Sequence, residues 1–380
     1  MEPSAPQAAA PPARAATAGP VVADAALRAL RDCVRAADAD RIRLRLRGGG
    51  TKDFYGEPGG GEPLDLRALS GIVSYEPTEL VVTVRGGTPL AELEAALAAR
   101  RQYLPFEPPH FGAGATVGGM VAAGLSGPRR ASAGAVRDYV LGAVLMNAQG
   151  ELLHFGGQVM KNVAGYDVSR LLAGSLGILG PIVQVSLKVL PLPPAEATVL
   201  VSAGLREGLE LVNRWAGQPL PISATAWHAG DLGVRFSGAR AAVDAAVARF
   251  VDAHGAQCVD PEPAASVWAG LREHTDPFFD GELPTWRLSV PSTAQPFEFP
   301  GRQLVEWGGA LRWFRTDVDA AVIRQAAATV GGTATLFRAR DRSAGVFAPL
   351  PPALLELHRR IKREFDPRGI FNPGRLVPGL

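Results

Sequence analysis

The chain has 380 residues, 47% of them hydrophobic and 20% charged, which is enough for two packing units sharing a cleft and excludes a wholly disordered protein. Its 39 basic and 37 acidic residues leave a net charge of +2 with no long block of either sign, so nothing points to a nucleic-acid groove. Two cysteines, Cys33 and Cys258, are too few for a zinc cluster, an iron–sulfur site or a disulfide framework and suit a reducing cytoplasm, while no run of about eighteen apolar residues offers a membrane span.

Residues 1–20 are rich in Ala and Pro, lack the basic and apolar regions of a secretory signal, and are expected to form a disordered tail. From Val21 to Ala39 the apolar residues Leu27, Leu30, Val34 and Ala37 recur at helical spacing. The strict alternation of Arg41 to Arg47 then predicts a strand with one buried face, stopping at Gly48-Gly49-Gly50-Thr51. Leu80–Arg85 reads as a second strand, Gly86-Gly87 as a turn, and Thr88-Pro89 as the N-cap and first residue of a helix ending near Arg101. Leu104 to Gly134 is rich in Pro and Gly with few bulky residues, which predicts a long, functional loop rather than core or stable helix.

Tyr139–Met146 and Glu151–Phe155 are predicted strands joined by a hairpin turn at Asn147–Gly150, and Ile182–Leu190 is another strand before a Pro-rich linker. Residues 195–345 read as a second α+β unit, with strands at Thr198–Ser202, Gly233–Phe236 and Trp286–Val290 and a helix at Ala239–His254. A helix over Pro351–Phe365 precedes a Pro/Gly-rich ending that needs tertiary contacts to hold it.

The strand ending in Arg47-Gly48-Gly49-Gly50-Thr51 is the sharpest chemical signal, because consecutive glycines let several backbone N–H groups turn toward one anion such as a pyrophosphate. Gly112 to Gly119 offers a second run of small residues with exposed donors that could close on the same dinucleotide. It is not a Rossmann fingerprint, since Val117 stands where the third glycine is needed and no strand precedes it. No Walker A pattern occurs. Lys161–Asp167 (KNVAGYD) and Gly174–Gly180 (GSLGILG) are two further loop-like runs.

These runs occur, with Thr116–Gly127 and Gly134–Asp138, in the order seen in FAD-binding domains of the vanillyl-alcohol-oxidase (PCMH) type, and the ending Phe365–Gly374 resembles that family's C-terminal segment. The resemblance implies an α+β fold: a PCMH-type FAD-binding domain of two α+β subdomains over 21–194, a smaller α+β cap over 195–345, and a helix and tail over 346–380 packing back on the FAD domain. By the same resemblance Arg47, Gly48, Gly49, Gly50 and Thr51 hold the pyrophosphate, and Thr116, Val117, Gly118, Gly119 and Gly124 line the flavin and ribityl chain. Arg137 and Asp138 follow on the adenine–ribityl side, Ile182 meets the adenine through its backbone, and Asn372 contributes from the tail. Relatives that bind FAD covalently use a histidine where this chain has Thr51, so the cofactor is expected to be non-covalent FAD.

Within the family the wording is nearest to FAD-binding subunits of glycolate-oxidising complexes. That implies a flavin carrier or electron relay in the oxidation of glycolate or another small 2-hydroxy acid to glyoxylate. Its partners would be a catalytic FAD subunit and an iron–sulfur subunit, with location in the cytoplasm and at most peripheral contact with the inner membrane through the complex. A stand-alone FAD-dependent 2-hydroxy-acid dehydrogenase and a scaffold with a decayed flavin site are the alternatives. Oxidising a 2-hydroxy acid needs a cation for the carboxylate and a base for the hydroxyl proton. Candidate catalytic bases are His110 and His228, and candidate clamps are Arg129, Arg130, Arg312 and Arg338. His228, Gly230 and Asp231 echo half of a metal-binding motif of catalytic relatives, but Leu232 and Arg235 break it, so no metal site is expected.

Overall fold

The computed structural model describes residues 25–157 and 167–380. The predicted tail over 1–20 and the run Lys161–Tyr166 lie outside the described residues. Helix Ala25–Asp40 buries Leu27, Leu30, Val34 and Ala37, one stripe at helical spacing, on a parallel pair of strands, Leu44–Arg47 and Glu62–Asp65. The alternation begun at Arg41 yields a strand only from Leu44, where a backbone N–H finds the Ile370 carbonyl of the returning tail at 2.6 Å.

A second α+β subdomain is built on a five-stranded antiparallel sheet in the order Ile72–Glu76, Val81–Arg85, Ile182–Lys188, Val140–Met146, Leu152–Gly156. Helix Leu90–Ala98 seats Leu90, Leu93 and Leu97 on it with no exposure, each burial worth about 1.5–3 kcal/mol. The cap of this helix falls one residue later than expected: Pro89 occupies the N-cap, and the Thr88 hydroxyl bonds Gly71 instead. The segment Leu104–Gly134 also departs from expectation. Leu104, Phe106, Val117, Met120 and Val121 are core residues, and Val117–Ala123 is a helix. Thr116 caps its start through Gly119 N–H and Gly124 closes its end at φ 66°, so tertiary burial and caps outweigh the low helix propensity of two glycines.

From Ala195 the chain forms an eight-stranded antiparallel sheet, ordered Gln257–Val259, Ala195–Ser202, Asp231–Gly238, Ile222–His228, Arg302–Glu306, Leu311–Arg315, Thr285–Ser289, Thr333–Arg338. Helices Leu205–Ala216, Arg240–His254 and Ala320–Thr329 cover one face. The other carries Ala224, Leu304, Leu311, Trp313 and Phe337, which pack with Tyr55, Ala123 and Leu125 of the N-terminal half. A buried charge network spans the same seam: Glu107 accepts from Arg235 (2.8 Å) and from the Arg129 backbone (2.8 Å), and Arg129 reaches Glu196 (3.0 Å).

Helix Pro352–Phe365 sends the tail back under the first subdomain. Lys362 Nζ donates to Asp366 (2.6 Å) and to the carbonyls of Ile178 and Phe371, while the Asp366 carboxylate accepts from Ile370 N and Phe371 N. This buried pair gives the Pro/Gly-rich ending the tertiary hold that its own propensity lacks.

Candidate functional site

The glycine run lies where the two subdomains of the N-terminal half face each other across a cleft. Arg45 to Asp53 form one wall and Thr116, Gly119, Ala122 and Leu176 the other, enclosing about 740 Å³ including the open mouth. The cleft runs on into a second hollow of about 430 Å³ beside Gly86, Gly118, Gly177, Gly180 and Ile182. No backbone N–H from Gly48 to Lys52 donates to an acceptor among the described residues, so consecutive amides are left for an anion, as a diphosphate requires.

The second small-residue run does a different job from the one expected of it. Val117, Gly118 and Gly119 spend their amides on Thr88 O, Gly86 O and the Thr116 hydroxyl. What that loop supplies is close approach: a Cβ on Gly49 would sit 1.6 Å from Gly114 O, and one on Gly48 would sit 2.2 Å from Thr116 Oγ1. The cradle therefore depends on glycine at 48 and 49, where the Thr116 side chain and Gly114 O leave no room for a Cβ.

Asn372 joins the walls from the tail. In a left-handed conformation (φ 41°), its Oδ1 accepts from Leu46 N and its Nδ2 donates to Leu176 O, both at 2.7 Å, so its side chain sets the width of the cleft. Arg375 similarly holds the carbonyls of Asp53 (2.8 Å), Tyr55 (2.6 Å) and Glu57 (2.8 Å).

Of the sequence-predicted cofactor residues, Arg47, Gly48, Gly49, Gly50, Thr51, Thr116, Gly118, Gly119, Ile182 and Asn372 line these two hollows. Val117 is a core side chain, and Gly124 packs on Gly174. Arg137 and Asp138 are exposed neighbours in which Asp138 closes the turn at Ala135. Lys52 was missed: it lines the cleft, donates to His110 O (3.1 Å), and burial lowers its ammonium to about 8. A lysine two residues after a glycine run was the signal available.

Neither predicted base lines these hollows. The His110 ring pairs with Glu94 at 2.9 Å. His228 holds Gln303 O at 2.8 Å and ends a hairpin whose turn is Ala229-Gly230, both at positive φ, which accounts for the His228–Asp231 spacing without a ligand. Among the predicted clamps, Arg312 is fully buried on the carbonyls of Gly309, Gln295 and Ala294 and serves the fold. Arg129 belongs to the seam network, Arg130 lies over the Trp307 ring at 4.4 Å, and Arg338 lies over Phe54 at 4.0 Å.

Beside the cleft, under the cap, Arg272, Arg287, Glu306 and His274 border a small cavity of about 20 Å³, room for about one water, walled by Phe111, Trp313 and Phe337. Burial pushes the Glu306 carboxyl up to about 7, although Trp313 Nε1 donates to it at 2.7 Å. Burial, with Arg338 and Arg287 nearby, holds His274 well below the ordinary imidazole value, hence neutral.

Unpaired amides between two α+β subdomains, with a cap sheet against their mouth, define an FAD-dependent oxidoreductase with a PCMH-type FAD-binding domain. The sequence comparisons agree. A model described as "FAD binding domain" matches residues 21–156 and one described as "FAD linked oxidases, C-terminal domain" matches 346–376. The chain is 45% identical to "Glycolate oxidase subunit GlcE" of Escherichia coli (strain K12) over 93% of its own length and 97% of that protein. It is 27% identical to a "D-lactate dehydrogenase" of Archaeoglobus fulgidus over 90% of this chain and 88% of that one. It is also 31% identical to "Glycolate oxidase subunit GlcD" of Bacillus subtilis (strain 168) over 42% and 34%. Among solved structures, an alkyldihydroxyacetonephosphate synthase shares the fold at a TM-score of 0.65 and 16% identity, covering 90% of this chain and 74% of that one. The chain belongs to the FAD-linked oxidoreductase family that includes these glycolate oxidase subunits, and it binds FAD.

Proposed function

We propose that this chain is the FAD-binding subunit of an assembly that oxidises glycolate to glyoxylate, working beside a catalytic flavin subunit and an iron–sulfur subunit. The amides of Gly48 to Lys52, facing the cleft with no protein acceptor among the described residues, carry the reading. Bound FAD supplies the two-electron acceptor that oxidation of a C–H and O–H pair requires. The chain's own part is to hold the diphosphate on the nest, keep the loops in contact and shield the cleft with the cap. Thr51 after the glycines gives the flavin no histidine to attach to, so the cofactor is held non-covalently.

Likeness over nearly the whole length to a glycolate oxidase subunit, and over part of it to a second, supports the assembly and its substrate. No helix among the described residues is long and apolar enough to cross a membrane. We place the assembly in the cytoplasm, touching the inner membrane at most through a partner. Expression of the tagged chain in its native host, followed by affinity purification and flavin and iron analysis, tests this. Recovery of a second flavoprotein and an iron–sulfur protein in fixed ratio is expected; a chain recovered alone, with full glycolate-bleaching activity, would overturn the carrier reading.

A further inference from the structure

We propose that a hollow between helix Pro261–Glu273 and the end strands of the eight-stranded sheet binds a small amphipathic carboxylic acid, its apolar body on the helix and its carboxylate on Arg272 and Arg235. No residue lining this hollow lines either flavin hollow, so the site is separate from the cofactor cleft.

Strands Gln257–Val259, Ala195–Ser202 and Asp231–Gly238 end the sheet, and their register sets Val259, Thr198 and Arg235 in one row. Helix Pro261–Glu273 lies over that row. Its Trp268 indole donates to the Thr198 hydroxyl at 3.0 Å, and Arg235 lies over the Trp268 ring at 4.9 Å. Ala264, Ala265 and Ala269 stand beside the indole and are too short to fill the space that its bulk opens. What is left is a hollow of about 440 Å³, within the range of small-molecule pockets. Ala265 and Ala269 are exposed, so it can be entered from solution.

The polar groups of the lining decide the charge of the ligand. Their acceptors are taken. The Thr198 hydroxyl receives the indole N–H, and Glu107 accepts from Arg235 Nη2 and from the Arg129 backbone. Glu196 accepts from Arg129 Nη2 at 3.0 Å and stands 3.5 Å from Arg235 Nε. The donors are not all taken. Arg235 Nη1 and both terminal nitrogens of Arg272 have no acceptor among the described residues, Arg272 engaging Glu273 through Nε alone at 2.8 Å. Spare guanidinium N–H groups beside an apolar floor require acceptor oxygens carried on an apolar body, and a carboxylate matches the planar fork of arginine. Glycolate has too little apolar surface for the floor of Ala264, Ala265 and Trp268, so the ligand here differs from the substrate proposed above.

The test is calorimetric titration of the FAD-loaded full chain with phenylacetate and hexanoate as probes. Phenylacetamide serves as the uncharged analogue and acetate as the analogue without an apolar body. Saturable binding of a probe is expected, at least about tenfold tighter than that of phenylacetamide or acetate. Ala269→Phe fills the hollow from an exposed helix position and should weaken probe binding at least about tenfold, with melting temperature and flavin content at the parent's values. Arg272→Met should weaken it about tenfold and Arg272→Lys less, because lysine keeps the charge without the fork. A chain that binds neither probe, equal probe affinity in the parent and Ala269→Phe, or phenylacetamide held as tightly as phenylacetate overturns the inference. Should Ala269→Phe melt lower than the parent, Arg272→Met decides: unchanged probe affinity in that variant overturns the inference equally.

Discussion

Replacing Gly49 with alanine tests the loop contact on which the flavin cleft depends. The added methyl group would lie 1.6 Å from Gly114 O and 2.3 Å from its carbonyl carbon, both backbone atoms that cannot rotate away. Carbon and oxygen do not pack closer than about 3.0 Å, so the two loops must part by about 1.4 Å. Overpacking of this kind costs about 1–3 kcal/mol. If the loops relieve it by opening the nest, FAD binding weakens by about 5- to 150-fold. The measurement is calorimetric titration of FAD into flavin-stripped protein. Gly60→Ala serves as the control, because a Cβ there meets nothing within 4 Å. Parent-like FAD affinity and melting temperature in Gly49→Ala would show that the loops are not held in contact, and the account of the cradle would fail.

Lys362→Met should destabilise the chain by about 3–5 kcal/mol in urea unfolding, since it strands the Asp366 carboxylate in the interior. Asn372→Ala leaves Leu46 N and Leu176 O without their partners; a stability loss of about 1–3 kcal/mol with weaker FAD binding is expected by the same titration. Glu306 has a folded pKa near 7 against an ordinary 4.5, so the fold binds its proton more tightly than the unfolded chain does, and stability is full below about pH 4.5 and falls as pH rises toward 7. Glu306→Gln should therefore exceed the parent by on the order of 3 kcal/mol above that range and match it below, as judged by melting across pH. Glu107→Gln removes one of the two carboxylates that Arg129 and Arg235 share, leaving them Glu196, and should cost about 1–3 kcal/mol in the same unfolding assay.

What could be read in advance followed from chemistry confined to a few neighbouring residues. Glycine at 48, 49 and 50 means backbone close to something, and that reading needs no distant information. The helix at Val117–Ala123 was hidden because Gly118 and Gly119 argue against helix locally, whereas Gly118 is required by its contact with Gly86, 2.8 Å from a would-be Cβ. Thr88 looked like a helix cap because nothing in its own segment reveals Gly71, which takes its hydroxyl. Arg287 and Glu306 were invisible for a related reason: they border one cavity from two strands separated by a third, Leu311–Arg315, and their strands are largely buried, which erases the alternation that would have marked a charged residue as inward-facing. His110 and His228 attracted notice by residue type alone, and type says nothing about which way a ring points.

The clasp made by Asn372 and Arg375 also bears on the order of events during synthesis. The nest is translated early, yet the side chains that gauge its width are added more than three hundred residues later. A nascent polypeptide can thus fold its five- and eight-stranded sheets while still unable to retain the dinucleotide, and cofactor loading waits on synthesis of the segment that carries Asn372 and Arg375.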